Sequence, residues 1–78
     1  MAGQMFGVYR GVIVDTHDPQ SAGRVKVRLA SLPAADLWAA TCIPFGHAIG
    51  TPQVGRNCWV AFEGGDASRP VCLGHSPG

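Results

Sequence analysis

Hydrophobic and polar residues alternate most cleanly from Arg24 to Leu29. Val25, Val27 and Leu29 fall on one side, and Arg24, Lys26 and Arg28 on the other. A period of two is the mark of a strand with one wet face. The pattern returns further on, with Cys58, Val60 and Phe62 alternating against Asn57, Trp59 and Ala61. Gly7 to Asp15, rich in Val, Ile and Tyr, predicts an opening strand, and Gly11 in its middle predicts a bend or bulge. Leu37 to Ile43 has helix-forming Leu and Ala, but so short a run closed by Pro44 is better read as a strand. Pro70 to Leu73 predicts a short closing strand.

Eleven Gly and six Pro punctuate the chain between these segments. His17 to Gly23 is a turn cluster around Asp18-Pro19, and Ser31 to Asp36 reads as a connection. Pro44 to Gly55 reads as a long loop, Glu63 to Asp66 as a hairpin-type turn, and Gly74 to Gly78 as a tail. Five short strands, no substantial helix and a long connection between the third and fourth predict an all-β, five-stranded barrel. Residues 1–78 form one domain on this reading, its core within about 7–74. A sandwich normally needs more strands.

Length changes the picture. A chain of 78 residues buries only about 60–65% of its unfolded surface, so the core is thin. Cys42, Cys58 and Cys72 are an odd, sparse set rather than a disulfide framework. Partner subunits then become the expected source of further stability. Charged residues are 14%, apolar residues 46%, and the formal net charge is +1. That composition argues against disorder and against a dedicated nucleic-acid binder. No segment is long and apolar enough to span a membrane as a helix. Met1 to Phe6 lacks the basic and apolar regions of a signal peptide, which predicts a protein made and kept in the cytoplasm until it is exported or assembled.

Asp18-Pro19-Gln20-Ser21-Ala22-Gly23-Arg24-Val25-Lys26-Val27 resembles the "DPxxxGRVKV" segment of the phage baseplate and spike OB (oligonucleotide/oligosaccharide-binding) domains. That family includes the N-terminal domain of the myophage tail-lysozyme spike, phage baseplate assembly protein V and the valine-glycine-repeat spikes of type VI secretion. Tyr9 to Val14 is similar to its opening strand, Trp38 to the Trp before its middle strand, and Pro44-Phe45-Gly46 with Gly50 to a loop motif. Pro52 to Gly55, followed by Cys58, Val60, Phe62 and Glu63, and then Gly65-Asp66, Arg69-Pro70-Val71 and Gly74, continue the match in order. Arg56 stands where the family usually has Asp, and Cys58 where it usually has Val.

The resemblance implies a homotrimeric OB subunit of a central spike or baseplate, seated between a hub and a β-helical tip. It places the protein in a virion tail or injection particle. The resemblance ends near Gly74, so the tip is expected on a separate polypeptide.

Arg10, Arg24, Lys26 and Arg28 with Trp38 and Trp59 are the candidate interface residues. OB barrels elsewhere bind single-stranded nucleic acid with such cations and rings, which is the alternative reading. The acids that offset these cations leave little net charge and favour a face covered by protein. Trp59 suits an interface anchor. Cys72 and His75 have a metal-like spacing that Cys42 and Cys58 could complete, but Cys58 falls with the core residues. No metal or cofactor is expected. The carboxylates lie mostly at strand ends and turns, and Ser21, Ser31 and Ser68 lack a nucleophile setting, so no catalytic residue is expected.

Overall fold

The alternating segments become five strands: β1 (Tyr9–Asp15), β2 (Val25–Leu29), β3 (Leu32–Thr41), β4 (Asn57–Phe62) and β5 (Pro70–His75). The computed structural model describes residues 4–47 and 52–77, with the backbone alone at 32–35. The strands close into a barrel in the order β1-β2-β3-β5-β4. Every neighbouring pair is antiparallel except β3 and β5, which run parallel over Ala40–Val71 and Thr41–Cys72. Among the described residues the only helical piece is a 3-10 turn at Glu63–Gly65. The expected fold class is therefore the observed one.

Inward residues of each strand meet in one core. Val25, Val27, Leu29, Cys58 and Val60 are fully enclosed, with Ile13 and Phe62 beside them. Burying each large aliphatic side chain contributes about 1.5–3 kcal/mol. Tyr9 meets Phe62 edge-on, with ring centroids 5.6 Å apart, and Tyr9 is only partly buried.

Several boundaries differ from the sequence reading. Gly11 is not a bulge: it pairs regularly with Leu29 on one side and Cys58 on the other. The irregularity of β1 falls instead between Ile13 and Asp15. Gly11 is required by crowding, since a Cβ there would stand 2.9 Å from Leu29 Cδ2 and 3.2 Å from the Arg28 carbonyl oxygen.

The expected connection at Ser31–Asp36 is largely strand, because β3 already begins at Leu32. Its ladder jumps from the Arg28–Asp36 pair to the Leu29–Leu32 pair, so residues 33–35 bulge out of register. Pro33, which has no amide hydrogen, fits that break. At its other end β3 stops at Thr41, short of the expected Ile43.

The expected tail is also partly strand. β5 extends through Gly74 and His75, and the buried Ser76 donates its amide to the Asn57 carbonyl at 2.8 Å. The connection from β4 to β5 is a hairpin, as read, but it runs on past Asp66: the Arg69 amide donates to the Asp66 carbonyl and the Glu63 amide to the Arg69 carbonyl. Part of the long loop, residues 48–51, and the loop glycine Gly50 lie outside the described residues.

Candidate functional site

The period-two alternation turns the polar residues of each strand outward, and strand register decides which of them meet. Arg10 and Trp59 are partners across β1 and β4, and the Arg10 guanidinium lies 4.4 Å from the Trp59 ring centroid. Its Nη1 also donates to Ser76 Oγ at 3.3 Å. Lys26 and Trp38 are partners across β2 and β3. Lys26 Nζ stands 5.0 Å from the Trp38 centroid and the Arg24 guanidinium 5.4 Å. Each tryptophan thus carries cations over its face, a favourable use of the ring quadrupole.

Arg28 belongs to neither cluster. Its Nε and Nη2 donate to the two carboxylate oxygens of its register partner Asp36, at 2.9 and 3.2 Å. That pair holds the Asp36 carboxyl below the usual carboxylate range, the Arg28 hydrogen bond being the main cause, and raises Arg28 in return. The six candidate residues therefore form two separate cation–tryptophan groups, with Arg24 and Arg28 each also ion-paired to an aspartate, not a single continuous basic groove.

Asp18 is the organising residue of the β1–β2 connection. Its side chain is only 3% exposed. The carboxylate accepts the amides of Gln20, Ala22 and Arg24 and both Nε and Nη2 of Arg24. Ser21 and Gly23 adopt positive φ within this loop, at 52° and 75°. The Arg24 side chain, helped by the three amides, lowers the Asp18 carboxyl well below its ordinary value against the opposing effect of burial. The sequence places Asp18 in a turn cluster and Arg24 on the polar face of the next strand, and nothing in that pattern pairs them. The six-residue spacing across a turn cluster was the available signal.

Asp66 likewise accepts the Ser68 amide and hydroxyl at 2.9 and 2.7 Å. These carboxylates are held by turns and by arginines, which leaves them poorly placed as proton-transfer groups. Between β1 and β2 lies a shallow depression of about 240 Å³, with Gly11 and Leu29 among its lining residues and Arg10 and Arg28 beside them.

Cys58 is the register partner of His75 across β4 and β5, but the three cysteines and His75 do not share one environment. Cys58 and Cys72 are buried inside the barrel, whereas Cys42 and His75 are exposed. Hydrogen bonding with Cys72, then burial, pushes the Cys58 thiol up, as expected of a thiol serving as core. Among the described residues no three His, Cys, Asp or Glu side chains gather as a metal site. No helix among them is long and apolar enough to cross a membrane.

The comparison with protein families agrees with this geometry. The family model described as the type VI secretion system/phage-baseplate injector OB domain matches residues 9–76. No curated protein matches the chain.

Proposed function

The chain belongs to the type VI secretion system/phage-baseplate injector OB-domain family, and on that premise we propose that it is a non-catalytic structural subunit of the central spike or baseplate of a contractile injection machine. It docks as a homotrimer between hub and tip, in a virion tail or injection particle assembled in the bacterial cytoplasm. Arg10, Trp59, Arg24, Lys26, Arg28 and Trp38 contribute to its contacts with neighbouring subunits.

One observation carries the structural reading: the outward cations are tied to neighbours within the barrel. Arg24 is held by Asp18 and Arg28 by Asp36, each through two hydrogen bonds. A face so tied presents a fixed shape, which suits rigid docking. It suits single-stranded nucleic acid less well, because a binding groove needs cations available for phosphate and rings open for stacking.

Light scattering on the chain mixed with its cognate hub and tip proteins tests the proposal. A stable complex containing three copies is expected. Failure to join either protein overturns it. Tight, strongly salt-dependent binding of a labelled oligonucleotide would favour the alternative.

A further inference from the structure

Two of the three thiols face each other inside the barrel. Cys58 on β4 and Cys72 on β5 are 0% and 5% exposed and belong to the same core cluster. Their strands are antiparallel neighbours, and the register sets Cys72 opposite Val60, two residues along β4 from Cys58. The cysteines are thus diagonal neighbours on one inner face, and their thiols are hydrogen-bonded to each other. A disulfide needs Cβ atoms within about 4.5 Å. A diagonal pair reaches that only where the ladder can give. The register shift between Trp59 and Val60, which leaves Leu73 as an extra residue in β5, lies between the two cysteines. Cys42, the third thiol, is exposed and stands apart from this pair.

We propose that Cys58 and Cys72 form a latent cross-link: hydrogen peroxide oxidises this pair to an intramolecular disulfide that staples β4 to β5. Cys72 supplies the attacking sulfur. A hydrogen bond from the Cys58 thiol, aided by the Gly74 amide, brings the Cys72 thiol down to about 7 against the opposing effect of burial, and the thiolate is the nucleophile. It attacks one peroxide oxygen, the O–O bond breaks, and hydroxide leaves and takes up the proton that Cys72 has released. Cys72 is then a sulfenic acid, which a neighbouring thiol condenses to a disulfide. Cys58 sulfur displaces the hydroxyl, and its proton leaves with it as water. Two thiols thus give up two electrons and two hydrogens, and one peroxide becomes two waters. The oxidant enters where Cys72 pairs with Thr41 in the short parallel joint, so the reaction is slow and follows local opening there. In a reducing cytoplasm the pair stays as thiols and fills the core. Outside it, the same pair supplies the staple that a thin core lacks.

Mass spectrometry of the peroxide-treated chain tests the proposal. The full chain, fully reduced and then held overnight with hydrogen peroxide under native conditions, is compared as wild type, Cys42→Ser, and Cys58→Val in the Cys42→Ser background. Circular dichroism checks each fold. Cys42→Ser is expected to lose two hydrogens from its intact mass. Cleavage after Glu63, which lies between the two cysteines, should then leave the Cys58 and Cys72 peptides linked. Oxidised wild type should release the same linked pair, and Tm of Cys42→Ser should rise by several degrees and fall back on adding dithiothreitol. With Val at position 58 the Cys72 sulfenic acid has no thiol to meet, so the chain should gain oxygen and form no link. If that variant loses its fold, Cys42→Ser alone decides. A folded Cys42→Ser that keeps both thiols, that gains oxygen without a link, or that links only in denaturant overturns the proposal.

Discussion

Asp18 and Arg24 are joined by two hydrogen bonds, Nε to Oδ2 at 3.0 Å and Nη2 to Oδ1 at 2.8 Å, while the same carboxylate receives three loop amides. One side chain thus shapes the loop and fixes the entrance to β2. Asp18→Ala is expected to lower Tm by several degrees and to speed hydrogen exchange at the Gln20, Ala22 and Arg24 amides. Arg24→Lys keeps the charge but loses the planar fork. It should therefore weaken the protein less, leaving the three amides protected. Equal exchange at these amides in wild type and Asp18→Ala would refute the organising role.

Acid should act through the same groups. Asp18, Asp36 and Asp66 are all lowered in the folded chain, chiefly by Arg24, Arg28 and Ser68 respectively. A carboxylate so lowered adds stability above its unfolded pKa of about 3.9, and that stability is lost as pH falls through the folded value. Tm is expected to drop from about pH 5 downward. Asp18→Asn should begin with a lower Tm at neutral pH and show a flatter acid limb. A limb as steep as wild type would remove Asp18 from the explanation.

Crowding at Gly11 predicts a second kind of loss. A branched side chain there meets Leu29 Cδ2 and the Arg28 carbonyl, and the carbonyl belongs to a paired strand that cannot easily move. Gly11→Val is expected to cost about 1–3 kcal/mol, read as a lower urea midpoint at unchanged slope. An unchanged midpoint would contradict the crowding.

Gly65 closes the turn after β4 with φ at 79°, and a Cβ on it would lie 2.6 Å from Phe6 Cε1. Gly65→Ala combines backbone strain of about 1–2 kcal/mol with displacement of the Phe6 ring. In Phe6→Ala the ring is gone, so only the backbone part remains. A double-mutant cycle should therefore show coupling of about 0.5 kcal/mol or more between these sites. Strict additivity would mean that the ring does not rest there.

Thiol counting checks the core directly. In the native protein one thiol, Cys42, should react quickly with a bulky disulfide reagent, because Cys58 and Cys72 are enclosed. All three should react in denaturant. Rapid reaction of three thiols in the folded state would contradict the packing.

The parts of the fold legible in the sequence were those with a local signal. β2 and β4 could be read because alternate residues must face opposite ways, and that period also turned Trp59 and Lys26 outward. Gly11 was misread because its neighbour Leu29 is distant in the chain, and a glycine kept for close approach looks the same in sequence as one at a bulge. The start of β3 was hidden because Pro33 signals a break, and here the break is a bulge within the strand. The Arg28–Asp36 pair depends on strand register, which the alternation alone does not supply. Asp18 stood within a motif of the family, but the motif does not state that its carboxylate faces Arg24.

The parallel joint between β3 and β5 has only two residue pairs, Ala40–Val71 and Thr41–Cys72. Separating it would unroll the barrel into a flat sheet ordered β3-β2-β1-β4-β5, with every antiparallel ladder intact. The joint is thus the natural zip of the molecule. Amides around Ala40 and Thr41 should therefore exchange sooner than those inside the antiparallel ladders, since opening there breaks the fewest strand pairs.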